Sequence, residues 1–210
     1  MRTRGGSVQL RLETALTSEQ YVTERGWESA TLEHCPLHPR GGCGFARHGT
    51  YARVEPAGTQ IARWYCPKGH TTFSLLPDFL ASRLSSTLAE VEQVIEQVEA
   101  SSSIEQASGE LRPDITLPSA VRWVRRRLGP VRRALLAIAT LLGLGCGSTL
   151  RAVRASLGSQ VTLAELRARV EARLASLGPP LGFGPRGSGS RSRDGPLQHE
   201  AGPDGGGRSR

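Results

Sequence analysis

The sequence predicts an α+β protein, mostly α, in which a small β-hairpin is followed by a helical bundle and an irregular tail. Two short β-like runs lie between cysteine-bearing turns in residues 35–70. From residue 84 to residue 177, apolar residues recur every three or four positions, as on one face of a helix. Glycine, proline, serine and arginine dominate residues 179–210, a composition typical of disorder.

The charge of the chain favours certain partners. Its 210 residues carry a formal net charge of +8, and almost every basic residue is arginine. Such a positive field favours nucleic acid as the partner, with an acidic membrane surface as the second choice. The longest apolar run, residues 134–144, is shorter than the roughly 20 residues that cross a bilayer. No apolar segment follows the N-terminus directly, so we expect a cytoplasmic protein.

The cysteine-bearing turns predict a metal site. Zinc in structural sites is held by four cysteine or histidine side chains in a tetrahedron. We predict a structural zinc ion bound by Cys35, Cys43, Cys66 and His70, because His70 follows Cys66 at nearly the spacing of a zinc knuckle. His38 is the alternate fourth ligand, since the sequence CPLH that begins at Cys35 is a knuckle in its own right.

Other interpretations of this region have less support. His34 and His48 lack a knuckle context. Three unligated thiols would remain if no metal bound, but Cys-Pro turns at both ends of a hairpin favour a zinc ribbon. A disulfide is disfavoured because this region holds an odd number of cysteines.

The ribbon occupies one segment of the predicted domain order. Residues 1–33 form a poorly defined N-terminal segment, and residues 34–77 form the zinc ribbon. Strands are expected at residues 49–55, 59–65 and 71–76. A helical domain follows at residues 78–145, then a linker and C-terminal helix at 146–178 and a disordered tail at 179–210.

Capping motifs mark the helices. Thr87 and Glu90 form a capping box at the start of an acidic helix, and Ser103 begins a shorter one. Thr162 and Glu165 form another box before the last helix. Gly129-Pro130 is expected to end a basic helix at residues 119–128 and to start a new one.

The basic helix resembles the second helix of a helix-turn-helix unit. Its apolar residues share one face, and Arg122, Arg125 and Arg126 share another, from which we expect them to contact DNA. Arg127, Arg132 and Arg133 are expected to contact the phosphate backbone. The turn at residues 112–117 is longer than the usual tight turn of the motif.

Several of these stretches together carry a family resemblance. The relevant stretches are CPLHP, GCGF, HGTYAR, IARWYCPKGHTTFSLLPDFL and SAVRWVRRR. In this order they resemble bacterial zinc-ribbon and helix-turn-helix proteins similar to the N-terminal DNA-binding modules of insertion-sequence transposases. The resemblance implies DNA binding and covers roughly residues 35–142. Gly69 departs from it, because the commoner ribbon has a cysteine there. No catalytic nuclease domain with spaced carboxylates follows.

The function expected from the sequence is zinc-dependent, non-catalytic binding of double-stranded DNA. The sequence has no nucleophile elbow, phosphate loop or open-site metal motif, so no catalytic residue is predicted. The alternatives are a zinc-stapled adaptor that binds a protein, such as a separate transposase, or a transposase remnant without function.

Overall fold

The computed structural model describes residues 6–184, and these form an α+β fold. The strands are β1 (Gly6–Leu12), β2 (Ala46–Ala52), β3 (Gln60–Cys66) and β4 (Thr71–Pro77). The α-helices are α1 (Ser18–Thr23), α2 (Leu88–Ala100), α3 (Ile104–Leu111), α4 (Leu117–Leu141), α5 (Leu150–Leu157) and α6 (Leu163–Arg169). A short 3₁₀ helix follows at Glu171–Arg173.

The sheet is larger than the predicted hairpin. Its four strands lie in the order β1-β4-β3-β2, and β3 is antiparallel to both β2 and β4. Strand β1 pairs in parallel with β4, from Gly6 beside Thr71 to Leu12 beside Pro77. The prediction of a hairpin that simply precedes a bundle is therefore wrong, because the N-terminal segment supplies a strand to the sheet.

The two faces of the sheet have different surroundings. Alternate residues of β3 point to opposite faces, as in any strand. Ala62, Trp64 and Cys66 face a small core that also contains Phe73 and Leu75 of β4. The other side of β3 carries a polar and aromatic set at residues 63 and 65. The sheet therefore has one apolar face and a second face that is polar around residues 63 and 65 and apolar at Ile61 and Leu76.

The helices share a core with the sheet. Ile61 and Leu76 pack with buried residues of α2, α4, α5 and α6 in one continuous hydrophobic cluster. One hydrophobic cluster therefore joins the sheet to the helices, and the α+β class is correct. No helix within residues 6–184 has the length and apolar content needed to span a membrane.

Helix α4 continues through Gly129 and Pro130, where the sequence predicted a break. It is a single helix of 25 residues with Pro130 in its interior. An internal proline costs a helix about 3 kcal/mol because it removes a hydrogen bond and crowds the preceding turn. Buried residues on both sides of it, including Leu128 and Val131, keep one apolar stripe against the core. Burial of each such side chain contributes about 1.5–3 kcal/mol, so the nine buried residues of α4 together outweigh the cost of the proline.

The C-terminal part of the described chain is packed. Helix α6 ends at Arg169, earlier than the predicted apolar stripe, but Leu174 and Leu177 remain buried in the main core. Leu181 and Phe183 join the same core. Residues 179–184 of the predicted disordered tail are therefore part of the fold. Residues 185–210 of that tail, like residues 1–5, lie outside the described residues.

Candidate metal centre

Four potential metal ligands converge at the edge of the smaller core. The ligand atoms of Cys35, His38, Cys43 and Cys66 all lie within 4.8 Å of one another. His38 Nδ1 is 3.6 Å from Cys35 Sγ and 3.3 Å from Cys66 Sγ. The three cysteines are buried and the histidine is half-buried. These residues are positioned to coordinate a metal ion.

The spacing of these atoms fits a tetrahedral ion. Zinc lies at about 2.3 Å from a thiolate and about 2.0 Å from an imidazole nitrogen. Two such ligands at a tetrahedral angle are therefore roughly 3.6 Å apart. The two sulfur–nitrogen distances, 3.6 and 3.3 Å, are close to that separation. Three thiolates and one imidazole suit a closed, structural site.

A tight turn brings the first two ligands together. His38 N–H donates to the Cys35 carbonyl at 3.0 Å, and Gly41 N–H donates to the His38 carbonyl at 2.9 Å. The chain then reverses through Gly42 and Gly44, whose φ angles of +74° and +68° lie in the left-handed region that glycine tolerates best. Cys43 lies between these two glycines, so its side chain can turn back to the other ligands.

The third cysteine lies on a second turn, at the end of β3. Gly69 N–H donates to Cys66 Sγ at 3.3 Å, the backbone contact that stabilises a thiolate in a knuckle. A Cβ atom at Gly69 would lie 2.5 Å from Leu37 Cδ1 of the first turn. The two turns therefore lie in contact, and a larger residue at position 69 would displace the exposed Leu37 side chain.

His70, the first-choice fourth ligand, lies outside the cluster. Its Nδ1 is 3.4 Å from the Tyr65 hydroxyl, and Tyr65 points to the opposite face of β3 from Cys66. His38 completes the cluster instead, as the alternate prediction held. His34 and His48 are also outside it, and so is the free thiol of Cys146. The CPLH spacing was the signal that identified His38.

The two thiols nearest His38 differ in acidity. Burial raises the pKa of the Cys66 thiol. Burial also acts to raise the pKa of Cys35, but hydrogen bonds from His38 and the backbone outweigh it and lower that pKa to about 7. Metal binding requires deprotonated thiols, so this environment favours the form of Cys35 that coordinates.

Aromatic side chains pack in the small core that contains the cysteine ligands. Phe45, two residues after Cys43, packs edge-on against Phe73 of β4 with ring centroids 6.0 Å apart. Trp64 is buried in the same small core, and Arg47 lies 5.4 Å from its ring centre. Ala30 and Leu32 from the N-terminal segment complete this core. The metal ligands therefore sit on a rigid apolar base, as expected of a structural site.

Five of the six predicted DNA-contacting arginines lie on one exposed face of α4. These are Arg122, Arg125, Arg126, Arg132 and Arg133. At about 100° per residue they cover an arc of about 120°, opposite the buried stripe. We call this set the arginine stripe. Because α4 does not break at Pro130, the two predicted arginine groups form one continuous surface.

Arg127, the sixth predicted contact, has a structural role. Its guanidinium lies 3.8 Å from the centre of the Trp123 ring, and its Nη2 donates to Ser86 Oγ at 3.3 Å. Burial lowers its pKa. Trp123 also contacts Arg112, whose guanidinium lies 5.1 Å from the ring centre. Arg127 is thus held against the protein, away from the arginine stripe.

Comparison with family models, with curated proteins and with solved structures finds no match to this chain. The resemblance to transposase modules therefore stays a prediction from the sequence motifs.

Proposed function

We propose that this chain is a zinc-stabilised, non-catalytic protein that binds double-stranded DNA through the arginine stripe of α4. The observation that carries the proposal is the unneutralised charge of that stripe. Among the described residues, only one carboxylate lies within ion-pair distance of it, that of Glu105, 3.8 Å from Arg125. Guanidinium groups left without carboxylates on a rigid helix are suited to phosphate oxygens.

The dimensions of the stripe suit a duplex. A rise of about 1.5 Å per residue puts Arg133 about 16 Å along the helix from Arg122. Duplex DNA carries one phosphate charge per roughly 1.7 Å of its axis, so several phosphates lie within that span. Arg125 and Arg126, which lie on either side of Arg122 on the exposed face, are the residues we propose for contact with guanine edges.

Zinc is the proposed ion at the Cys3His cluster because it prefers this ligand set and geometry. Its proposed role is structural: it joins the two knuckles and so stabilises the sheet on which the helices pack. The proposed relation to mobile-element DNA-binding modules is supported by the sequence motifs alone.

The salt dependence of DNA binding tests the proposal. Each lost phosphate contact lowers the slope of log K against log salt by about 0.9. Arg132→Ala/Arg133→Ala, at the two exposed positions expected to contact phosphates, should therefore weaken duplex binding and reduce the slope by about 2. The control is Arg169→Ala/Arg173→Ala, which removes the same charge from exposed positions elsewhere. Equal slopes for the two double variants would contradict the assignment to α4.

A protein partner is the second candidate, as expected of a zinc-stapled adaptor. Leu136 and Leu141 near the end of α4 are 51% and 47% exposed and are the apolar side chains that such a partner would cover. Leu136→Ser/Leu141→Ser should abolish capture of a protein partner and leave duplex binding unchanged. Loss of DNA binding in this variant would indicate that the protein partner and the DNA bind to one shared surface of α4.

A further inference from the structure

The polar face of the sheet carries a groove on the side opposite the metal centre. Residues that pair across neighbouring strands line this groove in two rows. Gln9, Ser74 and Arg63 form one row, and Ser7, Thr72 and Tyr65 form the other. Tyr51, His70 and Arg83 close its sides, and the groove has a volume of about 610 Å³. This volume is typical of sites that bind small organic ligands.

The groove has the charge of an anion site. Among the described residues that line it, two are arginines and none is acidic. Arg63 Nη2 donates to the Thr50 carbonyl at 3.3 Å, while its Nε has no hydrogen-bond partner. No described carboxylate lies within ion-pair distance of Arg63. A half-buried guanidinium with so few acceptors would be stabilised by an anion bound in the groove.

Aromatic rings flank this charge. The Arg63 guanidinium lies 5.7 Å from the centre of the Tyr51 ring. On the other side, the Tyr65 ring lies 5.5 Å from that of His48, and its hydroxyl is 3.4 Å from His70 Nδ1. Tyr65 is half-exposed, so its ring is open to a planar ligand. Rings and guanidinium groups side by side on a sheet are suited to stacked bases and their phosphates.

We propose that this groove binds a nucleoside phosphate, with the phosphate at Arg63 and the base stacked on Tyr65. The unit is either a free nucleotide or part of a single strand. The proposal extends the proposed function, because it gives a nucleic-acid-binding protein a second, single-strand site. Hydroxyl groups of Ser7 and Thr72 lie in the same row as Tyr65 and supply hydrogen bonds to the sugar or the phosphate.

The test measures binding of a fluorescein-labelled oligothymidine of about eight nucleotides, within the usual site size for single strands. Tyr65→Leu should weaken binding about tenfold, the loss expected when one stacked base is released. Arg63→Gln should weaken binding and lower the salt slope by about one. His70→Ala is a third variant, and because its side chain is exposed it is expected to fold normally.

Competitors identify the source of the ligand. If thymidine monophosphate displaces the labelled oligomer, the ligand of the groove is a free nucleotide. If only the unlabelled oligomer displaces it, the ligand is a single strand. Inorganic phosphate that competes as well as the nucleotide would overturn the proposal, because the base would then add nothing. Unchanged oligomer binding in both Tyr65→Leu and Arg63→Gln would also overturn it.

The proposal for the groove and the proposal for the arginine stripe can be contradicted independently of one another. Arg125→Ala/Arg126→Ala should weaken duplex binding and leave thymidine monophosphate binding unchanged. Tyr65→Leu should weaken thymidine monophosphate binding and leave duplex binding unchanged. If duplex binding is absent but the nucleotide binds at the groove, only the proposed function fails. If duplex DNA binds but the nucleotide and the oligomer do not, only the groove proposal fails.

Discussion

His38 Nδ1 lies 3.3 Å from Cys66 Sγ, although 28 residues separate the two in sequence. This contact joins the first knuckle, at Cys35, to the second, at the end of β3. The contact brings the two turns to the separation that ligands of one shared metal ion require. The stability of the smaller core should therefore depend on the metal.

Metal binding should require His38 but not His70. We expect about one zinc ion per purified chain, as a single tetrahedral site implies. Cys66→Ser and His38→Ala should reduce the metal content strongly, because each leaves only three protein ligands. His70→Ala is the matched control and should keep its metal. The metal content of each purified variant is measured by mass spectrometry. Loss of metal from His70→Ala together with its retention in His38→Ala would contradict the assignment of His38 as the fourth ligand.

Gly129→Ala should stabilise the protein by about 0.5–1 kcal/mol, the difference between the two residues within a helix. A Cβ atom there would have Arg133 Nη1 at 3.6 Å as its neighbour, which is an ordinary contact. Gly182→Ala is the contrasting variant, because its Cβ would lie 2.0 Å from the Leu177 carbonyl oxygen. Denaturant unfolding measures both, and destabilisation by Gly129→Ala would argue against a continuous α4.

Arg167→Met should destabilise the fold by about 3 kcal/mol or more, because buried carbonyls would lose their donors. The Arg167 side chain is 1% exposed and donates to four carbonyls, those of Asp78, Leu80, Pro180 and Leu181. Burial lowers its pKa to about 10, so it remains charged near neutral pH. The exposed Arg169 is the control, and Arg169→Met should change the unfolding free energy by less than about 0.5 kcal/mol. Similar values for the two variants would show that Arg167 does not fasten the C-terminal segment.

Glu92→Gln should change how stability depends on pH. Burial raises the pKa of the Glu92 carboxyl, although the Leu163 N–H and Arg154 act against it. The native state therefore holds this proton to higher pH than the unfolded chain, and the contribution of Glu92 to stability falls as pH rises through the native pKa. The unfolding free energy of the wild type minus that of Glu92→Gln should decrease as pH rises above about 4, the ordinary pKa of a glutamate carboxyl. A constant difference would contradict the raised pKa.

Local patterns predicted the local structure well. The strands expected at residues 59–65 and 71–76 correspond to β3 and β4 within one residue. The capping boxes at Thr87 and Thr162 are both confirmed. These features depend on neighbours within a few residues, so the sequence alone contains the necessary information.

Pairing between distant segments was not predicted. Residues 8–12 alternate apolar and polar side chains, which would predict a strand, but the partner β4 begins about 60 residues later. The end of β1 is held there by Arg11, whose Nε donates to Asp78 Oδ1 at 2.7 Å. Similarly, the buried residues around Pro130 keep α4 intact where the local preference is to break.

For the candidate metal site too, the sequence identified some features and only the structure decided the others. Residue types and knuckle spacing were enough to identify three cysteines and two competing histidines, because metal chemistry restricts the ligands to few kinds. The choice between His38 and His70 depended on which face of the sheet each ring occupies. Strand alternation sends Cys66 and Tyr65 to opposite faces, and His70 lies with Tyr65. Only folding, which brings distant turns to one side of a sheet, could exclude His70 from the cluster and place it in the groove.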